Sequence, residues 1–293
     1  MKAQPRGIVQ TPLGGVHYVT SGSFESSLTP IVAFHMSPRS VDEYLEAMPL
    51  LSRDGRLVVA IDELGYGASD SPCRSCTLEE IADGALLVAD HLGIQSFIAC
   101  GSLMGNFFSI ALGSKYIDRV KAIIMTNCYM FPEEVVQRTR EKLAKRASGD
   151  TASIEDSWEL KEDGSHLTAI FDARKGWLDP VMNTRATRDA LIYNLKRRTR
   201  YADGVDIQDG PLFEFEARAR NVRCPVLAIN GTEAAAFFDK IGMPFTSQFE
   251  KLRPFFKDIT VSELDTGHIN LVNTHATEWC AKVMQLLREK GLD

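Results

Sequence analysis

The run Gly101-Ser102-Leu103-Met104-Gly105 follows the apolar segment Phe97-Ile98-Ala99-Cys100, so that small residues flank a central position by two on either side. This pattern lets a buried strand turn sharply into a helix, because glycines permit a strained strand-to-helix bend. The centre of such a bend is where a serine, cysteine or aspartate would be presented for covalent catalysis. Here the centre is Leu103. Its hydrocarbon side chain has no lone pair and no acidic proton, so it cannot carry an acyl or ester intermediate. The other local pattern that suggests chemistry is Cys73-Arg74-Ser75-Cys76. A zinc site would need a second ligand pair at suitable spacing, and none is found, so a surface loop with two free thiols is the expected reading.

The elements that would position these residues alternate between strand and helix, which implies an α/β fold with a mostly parallel central sheet covered on both faces. Strands are expected at 31–35, 57–61, 121–125, 225–229 and 258–261, and from 97 into the bend. Helices are expected over 42–51, from an N-cap at Thr77 with Glu80 in capping-box spacing to about Leu92, over 104–115, and over 271–289. Between 129 and 222 the strand signal stops, and helical stretches such as 133–146 and 187–198 take over. The division expected is an α/β core of 1–128 and 223–293 with an inserted helical cap at 129–222.

The chain has 293 residues, 44% of them hydrophobic and 25% charged, with a net charge of −6. These values suit a soluble globular protein and weigh against nucleic acid or an anionic membrane surface as partners. No apolar run approaches the roughly 20 residues of a membrane-spanning helix, and no signal-peptide core follows Met1, so the cytoplasm is the expected compartment. Cys100, Cys128, Cys224 and Cys280 lie in or beside apolar segments and read as small buried hydrophobes. His17, His91, His166 and His275 have no evident partner. The basic runs 138–142 and 196–200 read as solvated helix faces.

Several further motifs carry a resemblance. His35-Met36-Ser37-Pro38 follows the first apolar strand, Asp62-Glu63-Leu64-Gly65-Tyr66-Gly67-Ala68-Ser69 follows the second, Arg119-Val120-Lys121 lies after the bend, and Thr266-Gly267-His268 follows the last strand. Together with the bend they make the chain resemble the α/β-hydrolase superfamily, in the group with a helical cap between the sixth and seventh strands. The resemblance covers nearly the whole chain. It implies that His268 is the general base, that the Ser37 and Met104 amides form an oxyanion hole, and that His35 and Asp62 shape the surrounding loops. Counting back from Arg119 places the nucleophile position on Leu103 and not on Ser102.

The departures from the family pattern are equally specific. The nucleophile is replaced by Leu103. The acid expected after the seventh strand falls on Ala234 in Gly231-Thr232-Glu233-Ala234, leaving Glu233 as the adjacent candidate and Asp265 as a second orienter. A further acid site, after the sixth strand, holds Asn127. Met36 replaces the oxyanion-loop glycine. With its reference pKa of about 6.5, the imidazole of His268 suits proton transfer near neutrality.

The leading expectation is an enzyme in which His268 acts as general base on a small hydrophobic or aromatic molecule without a covalent intermediate. The reaction would be of lyase, isomerase, cyclase or cofactor-free oxygenase type. The pocket would include His35, Met36, Ser102, Asn127, Trp158 and Trp177, and the reading invokes no cofactor or metal. Two alternatives stand beside it. One is a non-catalytic small-molecule receptor or accessory protein. The other is a residual hydrolase that uses Ser102, Ser37, Cys128 or a water activated by His268. The cap aromatics Trp158, Phe171, Trp177, Tyr193 and Phe213 are read mainly as the cap's own core. A homodimer is the assembly considered.

Overall fold

The structure is a computed structural model that describes residues 5–147, 161–173, 175–176, 178–202, 210–234, 238, 248–265 and 269–292. Eight strands form one sheet: β1 (Arg6–Thr11), β2 (Gly14–Ser21), β3 (Ile31–Phe34), β4 (Val58–Ile61), β5 (Phe97–Ser102), β6 (Val120–Thr126), β7 (Val226–Gly231) and β8 (Ile259–Leu264). Their order is β1-β2-β4-β3-β5-β6-β7-β8. β1 and β2 form an antiparallel hairpin that pairs antiparallel with β4, and every other pairing is parallel. The central strands are buried at nearly every position, whereas β1 alternates between exposed and half-buried residues. Near-continuous apolar runs are what strands covered on both faces require.

Successive residues of a strand face opposite sides, and the core divides accordingly. Val32, Phe34, Val59, Ile61 and Ala99 join one apolar cluster; Ile31, Ala33, Val58, Ala60, Ile98 and Cys100 join the other. Helix α2 (Leu78–His91) begins with the capping box, in which the Thr77 hydroxyl accepts from the Glu80 amide while the Glu80 carboxylate accepts from the Thr77 amide. Its buried Leu78, Ile81, Ala82, Ala85, Val88 and Ala89 follow the spacing of one helical face. Helix α3 (Gly105–Lys115) is buried on nearly all sides.

The helix expected over 42–51 is broken into a one-turn 3-10 helix at Val41–Tyr44 and α1 at Met48–Leu51. Pro49 at the start of α1 explains the break, because a proline in a helix interior removes a donor and clashes with the preceding turn. The C-terminal helix is likewise split at His275, into Leu271–Thr274 and Ala276–Glu289.

Between β6 and β7 the described residues form helices: α4 (Glu133–Ala147), α5 (Ser165–Asp172), α6 (Pro180–Ala202), a one-turn 3-10 helix at Gly210–Leu212, and α7 (Phe215–Ala219). These helices do not build a wholly separate core. Phe213, Phe215, Ala219 and Val222 belong to the same apolar cluster as the sheet residues under α2 and α3. α6 is held to the sheet by polar contacts. The buried Arg39 donates from Nε to Asp189 at 3.3 Å and from Nη1 to Asn273 at 2.9 Å. Arg185 pairs with Glu46, and Arg188 pairs with Asp42 and Asp189. Lys196 donates to the carbonyls of Tyr66, Gly67 and Ser69. The expectation that 196–200 is a solvated face is therefore corrected at Lys196, whose ammonium is used to seat the helix.

Candidate active site

The strand order reverses about β3, with β4 on one side and β5 on the other, and in open parallel sheets the crevice at the carboxyl ends of such strands is where ligands bind. Phe34 pairs with Gly101 and Ser102 with Thr126, so the loop after β3 and the bend after β5 emerge side by side.

The bend has the geometry the glycine spacing implies. Leu103 adopts φ +49°, a left-handed conformation that costs a leucine roughly 1–2 kcal/mol. The flanking glycines are sterically required. A Cβ on Gly101 would lie 2.4 Å from the Asn106 amide nitrogen, and one on Gly105 would lie 2.1 Å from the Phe34 carbonyl oxygen. Asn106 secures the bend by donating from its side chain to the Thr126 carbonyl at 2.9 Å and accepting from the Thr126 amide at 3.1 Å. The left-handed residue is Leu103, as the spacing from Arg119 implied. Its side chain is 7% exposed and belongs to the same apolar cluster as Met36 and Phe107. Met104 follows in helical conformation as the N-cap of α3. Neither the Met104 amide nor the Ser37 amide donates to a hydrogen-bond acceptor among the described residues.

Behind the Met36 loop lies a set of buried ionisable groups, of which sequence reasoning singled out only His35 and Asp62. The Met36 amide donates to Glu43 Oε2 at 2.6 Å, which commits that N–H to the protein. Burial pushes the Glu43 carboxyl above its usual range, with Arg39, the Met36 amide and the Ser102 hydroxyl working in the opposite direction. His35 hydrogen-bonds the Met36 carbonyl through Nδ1 at 3.0 Å and pairs with Glu63 through Nε2. Burial alone would lower the pKa of His35, but the Glu63 and Asp62 carboxylates outweigh it and raise it to about 9. Asp62 accepts from the Val41 amide at 2.7 Å, the Ala68 amide at 2.8 Å and His17 Nδ1 at 2.8 Å. Burial opposes ionisation of Asp62, yet these bonds and the nearby His35 hold its pKa below the usual carboxylate range. His17, expected to be incidental, is thus the partner that fixes Asp62. No periodicity in the sequence marks Arg39, Glu43 or Glu63, because each gains its partner only when the loops after β3 and β4 fold over one another.

The other expected site residues fall in distinct places. Ser37 is half-buried, and its Oγ accepts from the Tyr66 hydroxyl at 3.2 Å. Tyr66 also stacks on Tyr193 of α6, with ring centroids 4.7 Å apart. Ser102 is fully buried at the end of β5 beside Glu43, and Asn127 is fully buried with φ +48°. The Asn127 Oδ1 accepts from the Gly231 amide at 2.9 Å, tying the ends of β6 and β7 together. Ser102 and Asn127, both expected to line the pocket, are thus completely buried. Glu233 and Asp265 are both exposed, immediately after β7 and β8. Cys128 is fully buried, and its thiol is pushed far above the usual range by that burial. Cys76, expected on a surface loop, is buried in the apolar core, while Cys73 is exposed; no disulfide joins any of the six cysteines. Among the described residues no group of three His, Cys, Asp or Glu side chains could hold a metal ion, and no helix is long and apolar enough to cross a membrane. His268, Trp158 and Trp177 lie outside the described residues.

Comparison with known proteins agrees with the fold. The sequence profile of the α/β hydrolase fold matches residues 29–271. Haloalkane dehalogenase 2 of Mycobacterium tuberculosis is 29% identical over 124 residues, a stretch covering 42% of this chain and 42% of that protein, so the match spans less than half its length. A proline iminopeptidase of Lactiplantibacillus plantarum is 22% identical over 236 residues, covering 74% of this chain and 80% of that protein. Among solved structures, the enol-lactonase of Burkholderia xenovorans superposes with a TM-score of 0.70 at 18% identity, over 96% of this chain and 100% of that one. A bromoperoxidase of Bacillus anthracis superposes with a TM-score of 0.70 at 16% identity, over 97% of this chain and 100% of that one. At such identities the structural likeness establishes the fold alone.

Proposed function

We propose that this chain, which belongs to the α/β-hydrolase fold family, is an enzyme that works by proton transfer and forms no covalent intermediate. The sequence relatives described above are hydrolases, and the bend stands at the carboxyl ends of the strands where the order reverses, the place at which open parallel sheets bind ligands. The observation that carries the proposal is Leu103, held at φ +49° at the crest of the bend. The backbone keeps the strained conformation that would present a reactive atom, while the side chain supplies a hydrocarbon. Two of the three nearby alternatives weigh against covalent chemistry as well: Ser102 and Cys128 are fully buried, whereas Ser37 is half-buried. In this reading His268 takes a proton from a hydroxyl or from a carbon beside a carbonyl, and the Ser37 and Met104 amides stabilise the developing oxyanion. General-base catalysis supplies about 10²- to 10⁴-fold, which suits an activated substrate undergoing elimination, isomerisation, cyclisation or cofactor-free oxygenation better than an unactivated ester or amide.

The test is a turnover screen with hydrophobic acids, lactones and phenolics, followed by His268→Ala and Leu103→Ala. Loss of turnover in the first variant and a partial reduction in the second support the reading. Full activity in His268→Ala, or a fluorophosphonate adduct on any serine of the parent protein, overturns it. A ligand that binds and is returned unchanged by the parent favours a small-molecule receptor, a reading to which the buried, apolar Met36 and Leu103 also lend support.

A further inference from the structure

A cavity of about 560 Å³ lies on the flank of the molecule between α3, α4, the Gly210–Leu212 turn and α7. Neither Leu103, Met36 nor Ser37 lines it. The turn stands between the two places. A Cβ on Gly210 would lie 2.7 Å from the Met104 sulfur, so the glycine lets this turn rest directly on the residue that follows the bend. The floor of the cavity is aromatic. Phe107 and Phe213 stack with centroids 5.2 Å apart and an interplanar angle of 10°, and Phe131 and Phe215 meet Phe107 at 5.9 and 5.8 Å. Charged groups are confined to residues whose side chains are exposed, and both lining cations are already engaged: Arg140 pairs with Glu133 at 3.5 Å, and Arg220 donates to Glu216 at 2.8 Å and lies over the Phe255 ring at 5.0 Å.

We propose that this flank cavity is a binding site for an uncharged, ring-bearing small molecule. Its volume falls within the roughly 300–1,000 Å³ of small-molecule sites, and offset or edge contacts with a ring are what four clustered phenyl groups offer. The rim provides no unengaged guanidinium pair for a multiply anionic ligand. The site is independent of any reaction at the bend, since binding requires neither His268 nor turnover.

The experiment is a fluorescence titration of the full chain with N-phenyl-1-naphthylamine, an uncharged naphthyl probe. Two fillers are compared with the parent: Ala217→Trp, at an exposed position of α7, and Val136→Trp, on the opposing wall of α4. Thermal melts establish that each variant is folded. One saturable site in the parent, weakened by about tenfold or more in each folded filler, is the expected result, with His268→Ala binding as the parent does. No saturable binding to the parent, or parent-like binding by either folded filler, overturns the proposal.

Discussion

At Leu103 a residue that ordinarily avoids positive φ is kept there by its neighbours: two glycines that admit no Cβ, and Asn106 pairing with both backbone groups of Thr126. The bend is therefore a property of its surroundings and does not depend on the side chain at its crest. Leu103→Ser is expected to fold and to gain a fluorophosphonate adduct that the parent lacks, detected as a mass increase on the intact protein. A folded Leu103→Ser that remains unlabelled would show that removal of the nucleophile is not the sole block to covalent chemistry. The His35–Glu63 pair makes a second prediction. A histidine whose pKa rises from 6.5 unfolded to about 9 folded contributes stability that is complete below pH 6.5 and is lost as pH rises through 9. The loss is on the order of 3 kcal/mol. Urea unfolding at pH 6, 7.5 and 9 measures it, and Glu63→Gln should flatten the profile across that window.

Among the elements, α6 is seated by charge more than by apolar burial. Arg39 is completely buried, and its partners Asp189 and Asn273 come from α6 and from the helical turn after β8. Removing one member of a buried pair leaves an uncompensated charge, which costs about 3–5 kcal/mol. Asp189→Leu should therefore destabilise the protein by that amount in urea unfolding. The double variant Arg39→Met/Asp189→Leu should recover much of the loss, because replacing both charges with apolar groups is often close to neutral. A double variant no better than the single one would mean that Arg39 holds the loops after β3 through Asn273 alone. At the N-terminus of α2, Thr77→Ala should cost about 1 kcal/mol by removing the capping hydroxyl.

For the whole molecule, the shared apolar cluster predicts that the helices between β6 and β7 do not fold apart from the sheet. Phe107 of α3 packs against Phe131, Phe213 and Phe215, and Tyr129 packs against Phe131 and Phe238. Replacing residues 132–220 with a short Gly-Ser linker would expose this aromatic surface, and surface of that kind drives association. The expected outcome is an aggregating protein, or one that binds a hydrophobic dye strongly in its unliganded state. A monomeric, dye-silent truncation would show that the cap is an independent layer.

The six strands from β3 to β8, the bend and the capping box of α2 were legible in the sequence because each rests on local rules: apolar runs for strands covered on both faces, glycine spacing for a close turn, and Thr-to-Glu spacing for a helix start; the β1–β2 hairpin was not among the expected strands. The placement of a leucine at the crest needed nothing beyond counting. The chain alone could not show the split of 42–51 in full or that His17 fixes Asp62. Nor could it show that Lys196 seats a helix or that Glu43 and Glu63 sit in the interior. A charged residue reads as solvated until a partner distant in sequence is brought to it, and burial with such a partner is decided by how the loops close over the sheet. The flank cavity belongs to the same class, since its walls come from four segments that meet only when the helices after β6 pack against α3.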